Sequence, residues 1–119
     1  MTSVLVVDDE ENLLLLLERV LTRDGFAVKT ASGAHQALAL LERETFDLAI
    51  VDIKMFPVDG ITLLDELRER SPATRVVMTT AYPTPDSRME CLAKGAAVFL
   101  TKPLDLNELK SVARNLKPA

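Results

Sequence analysis

Positive charge is in short supply in this chain: fourteen Lys and Arg stand against eighteen Asp and Glu, for a formal net charge of −4. That balance offers no basic face, so direct nucleic-acid binding is not expected. Cysteine occurs once, at Cys91, which rules out an internal disulfide and suits a reducing compartment. Long apolar runs are missing too. The Leu13–Leu17 run, as long as any, is far too short to span a bilayer, and no charged-then-apolar signal opens the chain. The expectation is a cytoplasmic protein without membrane contact. The four glycines form no G-x-G fingerprint. At 119 residues there is room for one compact domain, 1–119, and none for a second catalytic module. What is present is core material: 48% of residues are apolar and 27% charged, a composition that folds.

Short continuous apolar runs rich in β-branched residues occur at Val4–Val7, Leu48–Val51, Val76–Met78 and Val98–Leu100, with a weaker one at Phe26–Thr30. Runs without alternation are expected of strands buried on both faces. Amphipathic stretches of helical length separate them, at about 10–23, 33–44, 60–70, 85–94 and 105–116. Leu13, Leu16, Leu17, Val20 and Leu21 follow the spacing of one buried helical stripe, which turns Leu14 and Leu15 outward. Gly25 and Gly95 fall just past helix ends, where a left-handed residue is wanted. Pro85 reads as a first helical position behind the cap Thr84, and Asp105 caps the last helix with Glu108 three residues on. Five β-α units in strict alternation imply a doubly wound parallel sheet with helices on both faces, the flavodoxin-like (βα)5 order being 2-1-3-4-5.

Ligands of open parallel sheets sit beyond the carboxyl ends of the strands. Here those ends carry Asp8-Asp9, Asp52, Thr79-Thr80 and Thr101-Lys102, whereas strand two ends without an ionisable group. In the order 2-1-3-4-5 the four polar ends lie side by side. Asp8 and Asp9, followed by Glu10 and Glu11, also read as helix-capping and first-turn acids. Asp52 does not: it closes a fully apolar strand with no helix directly behind it. Three carboxylates about 4 Å apart repel by roughly 4 kcal/mol per pair at an effective dielectric near 20, so the cluster calls for a proton or a cation. An all-oxygen set of this size suits Mg2+. Lys102, projecting from strand five, adds a charge that leaves room for an incoming anion such as a phosphoryl group. Thr80 adds a hydroxyl donor.

Val7-Asp8-Asp9, Asp52 with Met55, Asp59 and Gly60 behind it, Thr80-Ala81, and Phe99 before Lys102-Pro103 together resemble the receiver domain of two-component response regulators, over the whole chain and in the manner of a single chemotaxis-regulator-like receiver. The resemblance implies that Asp52 is the phosphoacceptor, becoming a 4-aspartylphosphate. The donor is a sensor histidine kinase, a histidine phosphotransfer domain or a small phosphodonor. It implies Mg2+ held by Asp9, Asp52 and the Lys54 carbonyl, with Asp8 acting largely through water. Thr80 and Lys102 hold phosphoryl oxygens, and Thr80 with Phe99 forms the switch, Phe99 turning inward as Thr80 moves. The signal then leaves through helix four, strand five and helix five to a downstream effector protein or a fused output domain, from a monomer or a phosphorylation-dependent dimer. Such a domain is a signalling acceptor and not an enzyme, beyond assisting its own phosphorylation and dephosphorylation, which Lys54 and Tyr82 tune. The family pattern also implies a cis Lys102-Pro103 bond.

Two features depart from the pattern. Phe56 stands where the family has Pro, with Pro57 one place later. Pro83 and Pro85 flank Thr84 and are expected to stiffen the loop after strand four. Other readings remain at this point. An aspartate-nucleophile phosphatase of another fold would want an acid two residues after Asp52, where Lys54 stands. A nucleotide binder would want a Gly-rich loop where Asp8-Asp9 repel phosphate. A receiver-shaped interaction module that is never phosphorylated is the third. His35 and Cys91 carry no assignable chemistry.

Overall fold

A computed structural model describes residues 1–118. Five strands, β1 (Ser3–Val7), β2 (Ala27–Ala31), β3 (Leu48–Asp52), β4 (Arg75–Thr80) and β5 (Val98–Thr101), alternate with five helices, α1 (Glu11–Arg23), α2 (Ala34–Leu41), α3 (Gly60–Arg70), α4 (Pro85–Ala93) and α5 (Leu106–Leu116). The strands are all parallel, in the order β2-β1-β3-β4-β5. This is the flavodoxin-like order expected from the alternation of elements.

Successive strand residues feed opposite faces, which builds two cores. Leu5, Val7, Ala49, Val51, Val76 and Met78 pack with α2, α3 and α4 through Ala34, Ala37, Leu63, Leu64, Leu67 and Cys91. Val4, Val6, Leu48, Ile50 and Val77 pack with α1 and α5 through Leu14, Leu17, Leu21, Leu109 and Ala113. Strand β2 is the exception to two-sided burial, because it lies at the sheet edge with Ala27 and Lys29 exposed.

Local signals hold closely. Gly25 and Gly95 have φ of 94° and 100°. Thr84 and Ser87 cap α4 reciprocally with Pro85 behind them, and the Asp105 carboxylate accepts from the Asn107 and Glu108 N–H groups. Helix α2 stops three residues short of its expected end, as the Arg43 N–H turns back to the Leu40 carbonyl.

The α1 stripe differs from expectation. Leu14, Leu17 and Leu21 are buried, Leu13 and Val20 flank them, and Leu15 and Leu16 face solvent. Five consecutive leucines satisfy helical periodicity in more than one rotation about the axis, so the pattern alone does not choose between Leu14 and Leu16.

Candidate acceptor and metal site

Strand ends and one close helix approach assemble the site. Parallel register places Val7 beside Val51, so β1 delivers Asp8 next to Asp52, and Asp52 itself pairs with Thr79. The Asp8 amide extends the ladder to β2 by donating to Ala31 O, and its carboxylate turns back to accept the Glu10 N–H at 2.9 Å. Asp8 thus closes a tight turn just ahead of α1. Glu10, the residue preceding that helix, makes no side-chain cap of its own.

Behind Asp52, Ile53 O accepts both the Met55 and the Gly60 N–H groups, drawing the N-terminus of α3 onto the end of β3. Only glycine permits this: a Cβ at Gly60 would stand 2.0 Å from the Asp52 carbonyl oxygen. Asp59 then caps α3 by accepting from Thr62 N.

Ligand atoms of Asp8, Asp9 and Asp52 lie within 4.8 Å of one another, with Asp8 and Asp52 buried and Asp9 at the surface. Lys102 reaches in from the end of β5. Its Nζ is 2.7 Å from Asp8 Oδ2 and 3.4 Å from Asp52 Oδ2. Burial pushes the Asp52 carboxyl above the ordinary value, and the neighbouring Asp8 charge pushes it further. The Lys102 ammonium and the Lys54 backbone N–H oppose both. For Lys102, burial acts to lower the pKa, but its hydrogen bond to Asp8 and the two carboxylate charges outweigh this and hold it above 10.5. One ammonium therefore serves two buried carboxylates, and the pocket retains excess negative charge.

That excess is the test of fit for a divalent ion. The donors are hard carboxylate oxygens, two of them recessed, gathered to a spacing that one small cation can bridge. The residues fit Mg2+.

A sequence profile described as the response regulator receiver domain matches residues 4–114. The chain belongs to that family. Among curated relatives it is 39% identical to the response regulator protein PilR of Pseudomonas aeruginosa, over 92% of this chain and 25% of that one. It is also similar to solved structures. A CheY-like receiver domain protein from Methanospirillum hungatei superposes with a TM-score of 0.92 at 29% identity, covering 98% of this chain and 94% of that one. The response regulator TrrA of Thermotoga maritima, solved in complex with Mg2+-BeF, gives 0.87 at 31% identity, covering 98% and 99%. The chain spans about a quarter of the length of the curated relatives it matches.

The remaining residues of the expected set lie at the end of β4, on β5 and in the loop behind Asp52. Thr80 is buried at the end of β4, and its Oγ accepts the Tyr82 N–H at 3.1 Å. The Lys102 amide donates to Thr80 O at 2.8 Å, joining the β4 and β5 ends. Phe99 is buried on β5, only 8% exposed. Lys54 extends into solvent from the loop behind Asp52. Both Lys102-Pro103 and Phe56-Pro57 are cis. At the point of departure from the family pattern, Met55 is buried while Phe56 is 88% exposed.

Two contacts escaped sequence reasoning. One is the Tyr82–Thr80 hydrogen bond, a backbone donor that no side-chain pattern announces. The other is the placement of Arg88, whose guanidinium carbon lies 5.9 Å from the Phe99 ring centre.

Proposed function

We propose that this chain is a phosphoacceptor receiver of a two-component phosphorelay in which Asp52 accepts the phosphoryl group. The observation that supports this most is Lys102, brought from β5 to within ion-pair distance of carboxylates on both β1 and β3. The ionised Asp52 carboxylate attacks the phosphorus of a phosphohistidine on a sensor kinase or phosphotransfer domain, or of a small phosphodonor. An O–P bond forms as the N–P or O–P bond to the donor breaks, and the imidazole or carboxylate leaves. Such transfers pass through a loose transition state, so the protein's task is to position groups and neutralise charge. Asp9, Asp52 and the Lys54 carbonyl would hold Mg2+, with Asp8 acting largely through water; the bound ion supplies positive charge to the transferring oxygens. Lys102 swings from Asp8 to a phosphoryl oxygen, and Thr80 donates its hydroxyl to another.

The new group adds about −1.5 to −2 charges beside Thr80. Moving a two-state equilibrium from 1:99 to 99:1 takes about 5.5 kcal/mol, which a few charge-assisted hydrogen bonds of roughly 1.5–3 kcal/mol each supply. Thr80 accepts from the Tyr82 N–H while its own O–H turns to the phosphoryl group, so a movement of Thr80 towards that group pulls on the β4–α4 loop. We assign that loop, with Phe99, as the switch acting on an effector protein or a fused output domain. The unit is the receiver itself, 1–119, as a monomer or a phosphorylation-dependent dimer. Among the described residues no helix is long and apolar enough to cross a membrane.

Incubation with Mg2+ and acetyl phosphate, followed by intact-mass measurement, tests the acceptor. The expected result is a gain of one phosphoryl group that vanishes in Asp52→Asn. No gain in the parent chain favours the unphosphorylated interaction module, whereas an equal gain in Asp52→Asn removes Asp52 as the acceptor.

The donor's docking surface follows from the corrected α1 stripe. Leu15 and Leu16 are 63% and 42% exposed, and Leu14 is not available. Leu16 and Leu13 line a 610 Å³ groove with Tyr82, Lys102, Pro103 and Leu106. A helical phosphodonor fits such a groove. Leu15→Glu with Leu16→Glu is expected to slow transfer from a phosphohistidine protein at least ten-fold while sparing acetyl phosphate. Equal loss with both donors removes the docking assignment.

A further inference from the structure

Helix α4 is lightly held. Of its residues only Cys91 is buried, whereas α3 buries Gly60, Leu63, Leu64 and Leu67. Its two ends are secured by different means. At the C-terminal end, Lys94 Nζ lies 2.9 Å from Asp65 Oδ2 of α3. Arg68, also of α3, donates to Thr74 O at 3.0 Å and to Gly95 O at 3.5 Å. The turn presses closely on that side chain, since a Cβ at Gly95 would stand 2.9 Å from Arg68 Cδ. At the N-terminal end, the Thr84–Ser87 bonds stay within the helix cap itself and fasten it to nothing else.

Arg88 is the N-terminal half's tie to the sheet. Its guanidinium stands 5.9 Å from the Phe99 ring centre, inside cation–π range. Among the described residues Arg88 forms no ion pair that would draw it elsewhere. We infer that Arg88 is a positioning residue that couples α4 to Phe99. The contact holds the N-terminal half of α4 against β5, and the Lys94–Asp65 and Arg68–Gly95 contacts make the other end a hinge. The link to signalling rests on the acceptor reading: as Thr80 moves towards the phosphoryl group and pulls on the loop ahead of α4, Arg88 on Phe99 restrains the N-terminal half of the helix and sets how far it lifts. The resting-state restraint itself does not depend on phosphorylation.

Amide hydrogen exchange on the full chain tests this, with and without Mg2+ and beryllofluoride. Arg88→Gln removes the cation and keeps a side chain of similar length. It is expected to speed exchange of the resting protein over residues 88–91 about two- to five-fold, the range for an exposed cation–π contact. Exchange in α1 and α2 and phosphoryl gain from acetyl phosphate should stay near parent values, the melting temperature should fall by no more than about 4 °C, and Arg88→Lys should restore part of the protection. Asp65→Asn should speed residues 92–95 instead. Unchanged α4 exchange in Arg88→Gln overturns the inference, as does acceleration spread across the whole chain with a lower melting temperature. Failure of the parent chain to gain a phosphoryl group would defeat the acceptor reading and leave the resting-state comparison standing.

Discussion

Gly60→Ala is expected to destabilise the domain by about 3–5 kcal/mol, above the usual cost of a point substitution because packed backbone has to move. The sign is the informative part. At an ordinary helix start, exchanging glycine for alanine stabilises by about 0.5–1 kcal/mol through the unfolded state. Here the added Cβ would lie 2.0 Å from the Asp52 carbonyl oxygen, 2.8 Å from its carbon and 2.9 Å from Ile53 Cα. All three are backbone atoms, so no side chain can rotate aside. Either α3 withdraws, breaking the Gly60 N–H bond to Ile53 O, or the Asp52 backbone shifts and carries the carboxylate away from Asp8 and Lys102. Thermal unfolding should show a melting point at least ten degrees lower, by the scale of about 4 °C per kcal/mol for domains near this size. A melting point equal to or above the parent's would mean that the close approach of α3 to β3 does not govern the site.

The same strand end shows what the sequence discloses and what it withholds. Asp8, Asp52, Thr80 and Lys102 were legible because parallel strands place their last residues on one rim, whatever lies between them in the chain. The five-strand order followed from strict alternation of elements. The punctuation at Gly25, Thr84, Gly95 and Asp105 was legible because capping is chemistry within a few residues. The orientation of α1 was not, because the leucine run from Leu13 to Leu17 contains more than one valid stripe and only the sheet beneath selects Leu14. Nor was the preference of Lys102 for Asp8 over Asp52, which turns on a difference of 2.7 against 3.4 Å. The inward Phe99 beneath Arg88 joins α4 to β5 by packing, and side-chain spacing along the chain carries no trace of it.

Asp52→Asn is expected to raise the stability of the metal-free domain at neutral pH by about 2 kcal/mol, the order expected for relieving repulsion between close, partly screened carboxylates. Burial, and next to it the Asp8 charge, hold the Asp52 pKa above 3.8. The folded chain therefore binds this proton more tightly than the unfolded chain does. Between the unfolded and folded values folding takes up a proton, and stability falls as pH rises. Above both values the penalty is complete; below 3.8 the carboxyl is neutral in either state and the penalty is gone. The excess stability of Asp52→Asn should thus be largest near neutrality and shrink towards zero in acid. The substitution would also leave Lys102 to Asp8 alone, at its shorter contact. Added Mg2+ should act in the opposite direction, raising the melting point of the parent chain more than that of the variant, since ligand stabilisation scales with affinity and the variant has lost one carboxylate. Thermal unfolding across pH, with and without Mg2+, reads all of these at once. A variant less stable than the parent at neutral pH would show that Lys102 more than offsets the crowding of Asp8 and Asp52. The pocket would then be a satisfied ion-pair network instead of a site held short of positive charge, and the case for a bound cation would fall with it.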